Sequence, residues 1–441
     1  MRKPLIAAIT AVVVAAGLAG PAEAAGHDPV PARQGATWLY GQLNSGHLMH
    51  NAQYDFDDYG LTADSGLELA TLGRHKQALT IAKALAPQAA TKWYRSTYGG
   101  VTTTYAGSVA KAAVLAQVAG LDPHSYGGTD LIALLESEVA QDAPIRGRMQ
   151  DQNDSFGDAN VLGQALAARA LTDAHSADAG PVRRFLLGQQ CAAGYFTLDF
   201  NKDKASATQT CTGRGAAPDT DATSYVVIQL QGMGHRSAAV SSAIDKAQAW
   251  LKRKQKTSGA WGGGTSTTAA NANSTGLATW ALGSGAAAHR GAVWLRKHQV
   301  RDAAGCHTRL SASRGAVAYD TSTMRAGLKA GITVATRDQW RRTTTQALIG
   351  LTLLPRASKD ISVAPAKTRV RAGRRVRVHV RHAAPYSMVC VRIGKHRKAA
   401  SVGVRGRTTV KVKVPAGKRH RAVTVVDSDG REARASLRVT R

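Results

Sequence analysis

Rings are scarce in this chain: Phe, Trp and Tyr together make up 5% of its 441 residues. So few leave little material for a cavity walled with aromatic faces, the setting that stabilises a buried organic cation. Acids are scarce too, with 29 Asp and Glu against 58 Lys and Arg, for a formal charge of +29. Beyond the N-terminal leader no stretch approaches the roughly 18 apolar residues of a membrane span, so no transmembrane anchor is expected in the mature chain. There is no G-x-S-x-G, no H-E-x-x-H and no cysteine in a catalytic context, which removes the common signatures of nucleophilic hydrolases and zinc peptidases. The start lacks a twin-arginine pair, and the end lacks a wall-sorting motif.

What is present begins with that leader. Met1-Arg2-Lys3 is a short basic start, Leu5 to Ala19 is apolar and small, and Ala22-Glu23-Ala24 is an A-x-A cleavage site. Residues 1–24 therefore predict a secretory signal peptide, and the mature protein is expected outside the membrane, free or held to the cell wall by charge. Four cysteines in an exported chain suggest two disulfides. Cys191 and Cys211 flank a polar loop that a bridge would close. Cys390 alternates with Val389, Val391 and Ile393, so it falls off the apolar face of its strand and can reach Cys306 in another domain.

The charge is lopsided. Ile361 to Arg441 holds 22 Lys and Arg against three acids, a net of +19. Inside a cell that balance would suggest nucleic acid. Outside one, the polyanions are wall polymers and acidic glycans, and these are the expected partners, with no nucleic acid; simple solubility is the plainer account.

One stretch recurs. Asp219-Thr220-Asp221 opens an apolar helix that stops at Gly232, and Asp58 to Gly73, Asp158-Ala-Asn160 to Leu171, Asn271-Ala-Asn273 to Gly283 and Tyr319-Asp320 to Gly331 are variants of it. A unit repeating every 45–50 residues or so cannot bury its apolar face alone and implies a helical array or ring. Outer helices begin at aromatic-Leu pairs, Trp38-Leu39, Phe185-Leu186, Trp250-Leu251 and Trp294-Leu295, which read as core anchors. A last helix from Asp338 to Leu353 is expected to close the ring against its start. After a linker at 357–367 the period becomes two: Val376, Val378 and Val380 alternate with Arg375, Arg377 and His379, and Val410, Val412 and Val414 with Lys411 and Lys413. Val423 and Val425 are expected to pair with Leu437 and Val439. Residues 25–356 thus predict a mainly α domain and residues 357–441 a small, basic, all-β immunoglobulin-like sandwich.

Six helix pairs, aromatic glycine-rich loops such as Gly194-Tyr195-Phe196 and Gly259-Ala-Trp261-Gly262, and inner helices opening on Asp or Asn resemble the α/α toroid of the prenyltransferase and squalene-cyclase (terpenoid cyclase) superfamily. The resemblance covers about Gly35 to Pro355, is closest to secreted bacterial repeat proteins with no assigned reaction, and implies an α6/α6 toroid of six helical hairpins. It speaks to fold more than to function. The cyclase branch uses an Asp-x-Asp-Asp acid, which Asp55-Phe56-Asp57-Asp58 spells literally in a loop. Asp219-Thr220-Asp221-Ala222 resembles it by position, with Ala222 in place of the last Asp. The prenyltransferase branch needs zinc, but Asp302, Cys306 and His307 make a poor ligand set, and no metal or cofactor is expected.

Parallel inner helices would gather their N-termini, each with free N–H groups and a partial positive charge, at one mouth. The predicted rim is Tyr54, Asp58, Tyr59, Tyr98, Tyr105, Asp154, Phe156, Asn160, Asp219, Asp221, Trp261, Asn273, Tyr319 and Asp320. Asp and Asn at helix starts are ordinary caps worth about 1 kcal/mol each; crowded among rings they also compose a site for a small molecule, glycan or peptide. The working expectation is non-catalytic ligand binding at the cell envelope. The alternative is a terpenoid-cyclase-like or glycan-acting enzyme with Asp57, Asp58 and Asp221 as candidate acids.

Overall fold

The computed structural model describes residues 27–153, 159–211, 216–417 and 419–440. The predicted signal peptide, Asp154 and Phe156 lie outside the described residues. Among the described residues thirteen α-helices precede a β-rich C-terminal region. They are α1 Val30–Tyr40, α2 Tyr59–Thr71, α3 His75–Gln88, α4 Ala106–Val118, α5 Leu131–Ser137, α6 Val161–Asp173, α7 Ala179–Gly188, α8 Thr220–Gly232, α9 Ala238–Lys254, α10 Ala272–Leu282, α11 Gly285–His298, α12 Thr321–Ala330 and α13 Val334–Leu351. Among them fall two small hairpins, β1 His50–Asn51 with β2 Phe56–Asp57 and β3 Arg95–Tyr98 with β4 Val101–Thr104.

Helices α2, α4, α6, α8, α10 and α13 each pack on the next, and α13 packs back on α2, so six helices form a closed cycle. The others lie outside it: α3 on α2, α5 on α4, α7 on α6, α9 on α8, α11 on α10 and α1 on α13. Sequence explains the division. Helix α10 is apolar or small on nearly every face and buries Ala272, Gly276, Leu277, Ala278, Ala281 and Leu282, the mark of a helix surrounded by protein. Helix α9 buries Val240, Ile244, Ala247, Trp250 and Leu251 along one stripe and ends on Lys252, Arg253 and Lys254, where cations favour the helix dipole.

The cycle is parallel. Asp64 of α2 pairs with Lys111 of α4 at 2.8 Å, and each is the sixth residue of its helix. Arg169 of α6 donates to Gln229 of α8 at 3.2 Å, about a turn deeper in both. Glycine lets two of these helices close near their starts: a Cβ at Gly163 would stand 2.8 Å from Gly107 Cα.

The sixth inner position corrects the sequence reading. The expected inner helix after Asp320 is α12, which lies outside the cycle and buries only Gly327. Helix α13 takes its place, burying Thr343, Thr344, Thr345, Ala347, Leu348 and Leu351.

The C-terminal strands are β5 Ser362–Pro365, β6 Arg369–Arg371, β7 Arg375–Arg381, β8 Met388–Ile393, β9 His396–Ser401, β10 Thr408–Lys413, β11 His420–Asp427 and β12 Glu432–Thr440. They form a three-stranded sheet, β10-β7-β5, and a five-stranded sheet, β6-β12-β11-β8-β9. The inward valines, Val376, Val378, Val380, Val410, Val412, Val423 and Val425, join Ile393 and Leu437 in a core of their own. Strands β11 and β12 pair, but Val423 faces Ala435 and Val425 faces Ala433, four residues from the expected antiparallel register with Val439 and Leu437.

Both disulfides join the expected partners, Cys191 to Cys211 and Cys306 to Cys390. The second ties β8 to the loop after α11. Around it Arg296, fully buried, donates to Asp429 at 2.6 Å and to Ser428 Oγ at 3.0 Å. Gln34 and Arg314 both donate to the Ser428 carbonyl, and Arg301 to that of Tyr386. A buried Arg paired and hydrogen-bonded in this way is costly to break from either side.

Candidate functional site

One bonding unit recurs where the loops enter the cycle. Asp58, Asn160, Asp219 and Asn271 cap α2, α6, α8 and α10, accepting N–H groups of the first turn at 2.8–3.0 Å. Four residues after each cap stands Thr62, Gln164, Thr223 or Thr275. Their side-chain oxygens accept the backbone N–H of Met49, Met149, Phe196 and Trp261, at 2.8–3.0 Å. Thr344 does the same for Val317 at 2.9 Å, while its hydroxyl donates to the Trp340 carbonyl at 2.7 Å. A buried loop N–H must find an acceptor, and this Thr or Gln is the acceptor built into the repeat. The pattern, Asp/Asn followed four residues later by Thr/Gln, is the sequence signal that was missed. Asp320 is followed by Met324 and fails it; Thr344 on α13 supplies the fifth instance, without an acidic cap.

At the capped end the six helices surround a cavity of about 560 Å³. Every inner helix contributes: Asp64 from α2; Gly107, Ser108 and Lys111 from α4; Gly163 and Leu166 from α6; Asp221 and Tyr225 from α8; Asn273, Ser274 and Leu277 from α10; Gln346 from α13. These sit three or four apart on each helix, one face per helix. Asp151, which caps α4 by accepting from Ala106 N at 2.7 Å, and Tyr319, Asn160 and Tyr105 complete the wall.

Of the predicted rim, then, Tyr105, Asn160, Asp221, Asn273 and Tyr319 come together. The rest have other positions. Tyr54 and Tyr98 are 69% and 88% exposed. Tyr59 donates to Gln88 at 3.1 Å. Trp261 is fully buried and donates its indole N–H to the Leu251 carbonyl at 2.8 Å, making it a core anchor. Asp320 caps α12. Asp57 meets His50 Nδ1 at 3.1 Å, and Asp58 combines its cap with an ion pair to Arg342. Asp219 caps α8 beside the cavity rather than on its wall. Sequence reading missed Asp64, Lys111, Asp151, Tyr225 and Ser274, because only the ring's curvature tells which helix face looks inward.

The electrostatics are uneven. Burial, with Asp219 adding to it and Ser274 partly offsetting it, pushes the Asp221 carboxyl up to about 6. Beyond this contact with each other, its Oδ1 and the Ser274 hydroxyl are buried without a hydrogen-bond partner among the described residues. Burial works against the Lys111 ammonium, but Asp64 outweighs it and holds Lys111 above the ordinary lysine range. Tyr225 is kept neutral by burial. Beneath this layer Glu68 is raised well above the usual carboxyl range by burial and by Asp64, and its Oε2 has no partner among the described residues. Glycines cover the two carboxylates of α8. A Cβ at Gly263 would overlap Asp221 Oδ2, and one at Gly264 would overlap Asp219 Oδ2.

The wall thus mixes donors and acceptors with Leu162, Leu166 and Leu277, and tyrosine is its aromatic component among the described residues. Among the described residues no group of three or more His, Cys, Asp or Glu side chains stands ready to hold a metal, and no helix is long and apolar enough to cross a membrane.

No family model matches the chain, and no curated protein does. Solved structures similar to it include a type II terpene cyclase from Scytonema, at 13% identity over 73% of this chain and 96% of that one, TM-score 0.49. They also include a glycosidase, at 14% identity over 74% and 97%, TM-score 0.45, and a polysaccharide lyase, at 13% over 73% and 96%, TM-score 0.45.

Proposed function

We propose that the protein is an exported binding protein with two domains. Residues 25–356 form an α/α toroid of six hairpins that takes a polyhydroxylated ligand, a glycan or glycan fragment, at the capped mouth. Residues 357–441 form an immunoglobulin-like sandwich that adheres to an anionic polymer of the cell envelope. The observation that carries the mouth reading is the cavity wall. Lys111, Asn160, Asn273, Ser108 and Ser274 offer donors, Asp64, Asp151 and Asp221 offer acceptors, and glycines open room between them. Neutral hydroxyl-rich ligands are held by such paired donors and acceptors, with ring faces at the edge, here Tyr105 and Tyr319. Asp221 and Ser274, which have no further partner among the described residues, keep hydrogen-bonding capacity for such a ligand.

A second reading is favoured by one observation, the Asp221 carboxyl near 6. A buried carboxyl that keeps its proton is a general acid, and an enzyme acting on a glycan would use one. Cyclisation through a carbocation fits less well, since the Lys111 ammonium and three tyrosines wall this cavity in place of a greasy aromatic lining.

Isothermal titration of neutral oligosaccharides into the exported chain and into Asp221→Asn tests both. Binding by the unaltered chain that weakens tenfold or more in Asp221→Asn, with the sugar recovered intact, supports the binding reading. Turnover lost in the same variant replaces it with the acid-catalysed one. Equal affinity in both proteins removes Asp221 from the site.

A further inference from the structure

Strands β7 and β10 build an unusual ladder. In register, Arg375 stands opposite Lys413, Arg377 opposite Lys411, and His379 opposite Thr409. All four of these Arg and Lys side chains are exposed, as is Arg381 at the end of β7. Like charges directly across a ladder are destabilising, and this sheet offers nothing to relieve them: β5, β7 and β10 carry no acid. Of the four acids in 357–441, Asp360 precedes β5 at the Arg381 end of the sheet, away from the two facing pairs, and the other three are placed elsewhere. Asp427 is buried and accepts from Ala384 and Arg431 N–H groups, Asp429 pairs with Arg296, and Glu432 lies on the other sheet beside Arg434.

The other sheet is the one that meets the helices. Cys390 on β8 bonds to Cys306, and Arg397 on β9 donates to the Gly305 carbonyl at 2.9 Å. Two sheets packed face to face turn their outer surfaces in opposite directions. The cationic ladder is therefore on the side of the sandwich turned away from that contact, open along its length.

Its spacing is specific. Same-face residues along a strand repeat every ~6.8 Å, and cross-strand pairs are ~5 Å apart. A backbone of three bonds reaches about 3.5 Å per repeat when extended, so one of six bonds reaches about 7 Å. A polyol-phosphate chain, with phosphodiester links between three-carbon units, has six backbone bonds per repeat. Each phosphate could then meet one Arg–Lys pair, and guanidinium groups bind phosphate oxygens two at a time. Single-stranded nucleic acid has the same six-bond repeat, but its bases need ring faces to stack on, and β5, β7 and β10 carry no Phe, Tyr or Trp.

We infer that this face of the three-stranded sheet is a binding strip for a linear polyol-phosphate polymer, an assignment that rests on the reading of the sandwich as the adhesive domain. The probe is poly(glycerol phosphate), titrated into the full exported chain at several salt concentrations. Arg377→Gln/Lys411→Gln removes one facing pair and relieves a repulsion, so it should fold at least as well. Arg434→Gln/Arg438→Gln removes the same charge from the other sheet. The expected result is a loss of tenfold or more at 0.1 M salt in the ladder variant, with its log–log salt slope shallower by about 1.4 for two lost contacts. The β12 variant should change by less than threefold. Equal losses in the two variants would overturn the strip while leaving adhesion by net charge. Equal or tighter binding of single-stranded DNA of matched length would overturn the polyol-phosphate assignment. No salt-dependent binding by the unaltered chain would remove the adhesive reading itself, and the strip with it.

Discussion

Two acidic stretches open two inner helices, and they are used differently. Asp55-Phe56-Asp57-Asp58 before α2 is consumed by structure: Asp57 meets His50, while Asp58 caps Leu61 N–H and pairs with Arg342. Asp219-Thr220-Asp221 before α8 divides its work. Asp219 takes the cap, Thr223 takes the loop N–H of Phe196, and Asp221 is left on the cavity wall with only Ser274 beside it. The stretch that spells an acid motif in full leaves only Asp55 outside these contacts, exposed to solvent beside His50 and off the cavity wall, whereas the stretch that departs from it at Ala222 leaves an acid on the wall. What makes a carboxyl available is that neighbouring residues already satisfy the helix start. An acid held in a low-dielectric wall without a charged partner is also a cost to the fold, and such costs collect at functional sites.

The comparison breaks most sharply at the glycines beside each acid. Gly263→Val would drive its side chain into Asp221 Oδ2 and Thr267 Oγ1. Overpacking of this kind costs on the order of 3 kcal/mol, and the midpoint of thermal unfolding should fall by several degrees. Gly60, next to Asp58, has only an ordinary 3.5 Å contact at its Cβ position. Gly60→Ala should raise stability by roughly 0.5–1 kcal/mol, since alanine is the better residue inside a helix. Equal losses at the two glycines would erase the distinction between the sites.

The next effect is a pH dependence. Burial pushes the folded Asp221 carboxyl up to about 6, above the ordinary aspartate value of 3.8. Between those values the folded chain holds a proton that the unfolded chain has released, so this group's contribution falls as pH rises through that window. It is fully favourable below about pH 4 and lost above about pH 6. The penalty at pH 7 is on the order of 2 kcal/mol, taking the cavity's access to water into account. Asp221→Asn should therefore be the more stable protein at pH 7, with the gap closing toward pH 4. Urea unfolding at several pH values, read as the difference between the two proteins, cancels the other raised acids such as Asp28 and Glu138. A pH-independent difference would mean that Asp221 titrates like a surface carboxyl.

The sequence made these elements unequally legible. Alternating Val and Arg in 375–381 and Val and Lys in 410–414 showed the β-rich end at once, because a period of two has few other meanings. Five inner helices were visible from an apolar run between a cap and a stop. The sixth was legible as a closing helix from Asp338 to Leu353 but not as an inner one, because α13 opens on Thr333 and holds Arg341, Thr343, Thr344 and Thr345 at buried positions. Arg341 and Thr343 find their partners across the ring, Arg341 donating to the carbonyls of His50 and Gln42 and Thr343 to Asn273, while Thr344 and Thr345 bond back to carbonyls of their own helix. Hydrophobic periodicity does not mark a helix with such a mixed buried face as an inner one. Lys111 was invisible for a related reason. On its own helix it is a lysine among alanines, and it gains a role only because Asp64 and Tyr225 arrive from two other helices.

The smallest effect tests the other half of the comparison. Asp58→Ala removes the acceptor for Leu61 N–H and leaves Arg342 with Asp338 alone, at 2.7 Å. Arg342 is 44% exposed, so the ion pair itself adds little, and the cap accounts for most of the expected loss of about 1 kcal/mol. Asp58→Asn keeps a capping oxygen and should lose less than half of that. Neither change touches the cavity wall, so ligand affinity at the mouth should stay within twofold in both. A large loss of affinity in Asp58→Asn with stability unchanged would place the literal acid motif in the site after all, and would make Asp58 rather than Asp221 the carboxyl from which to reason.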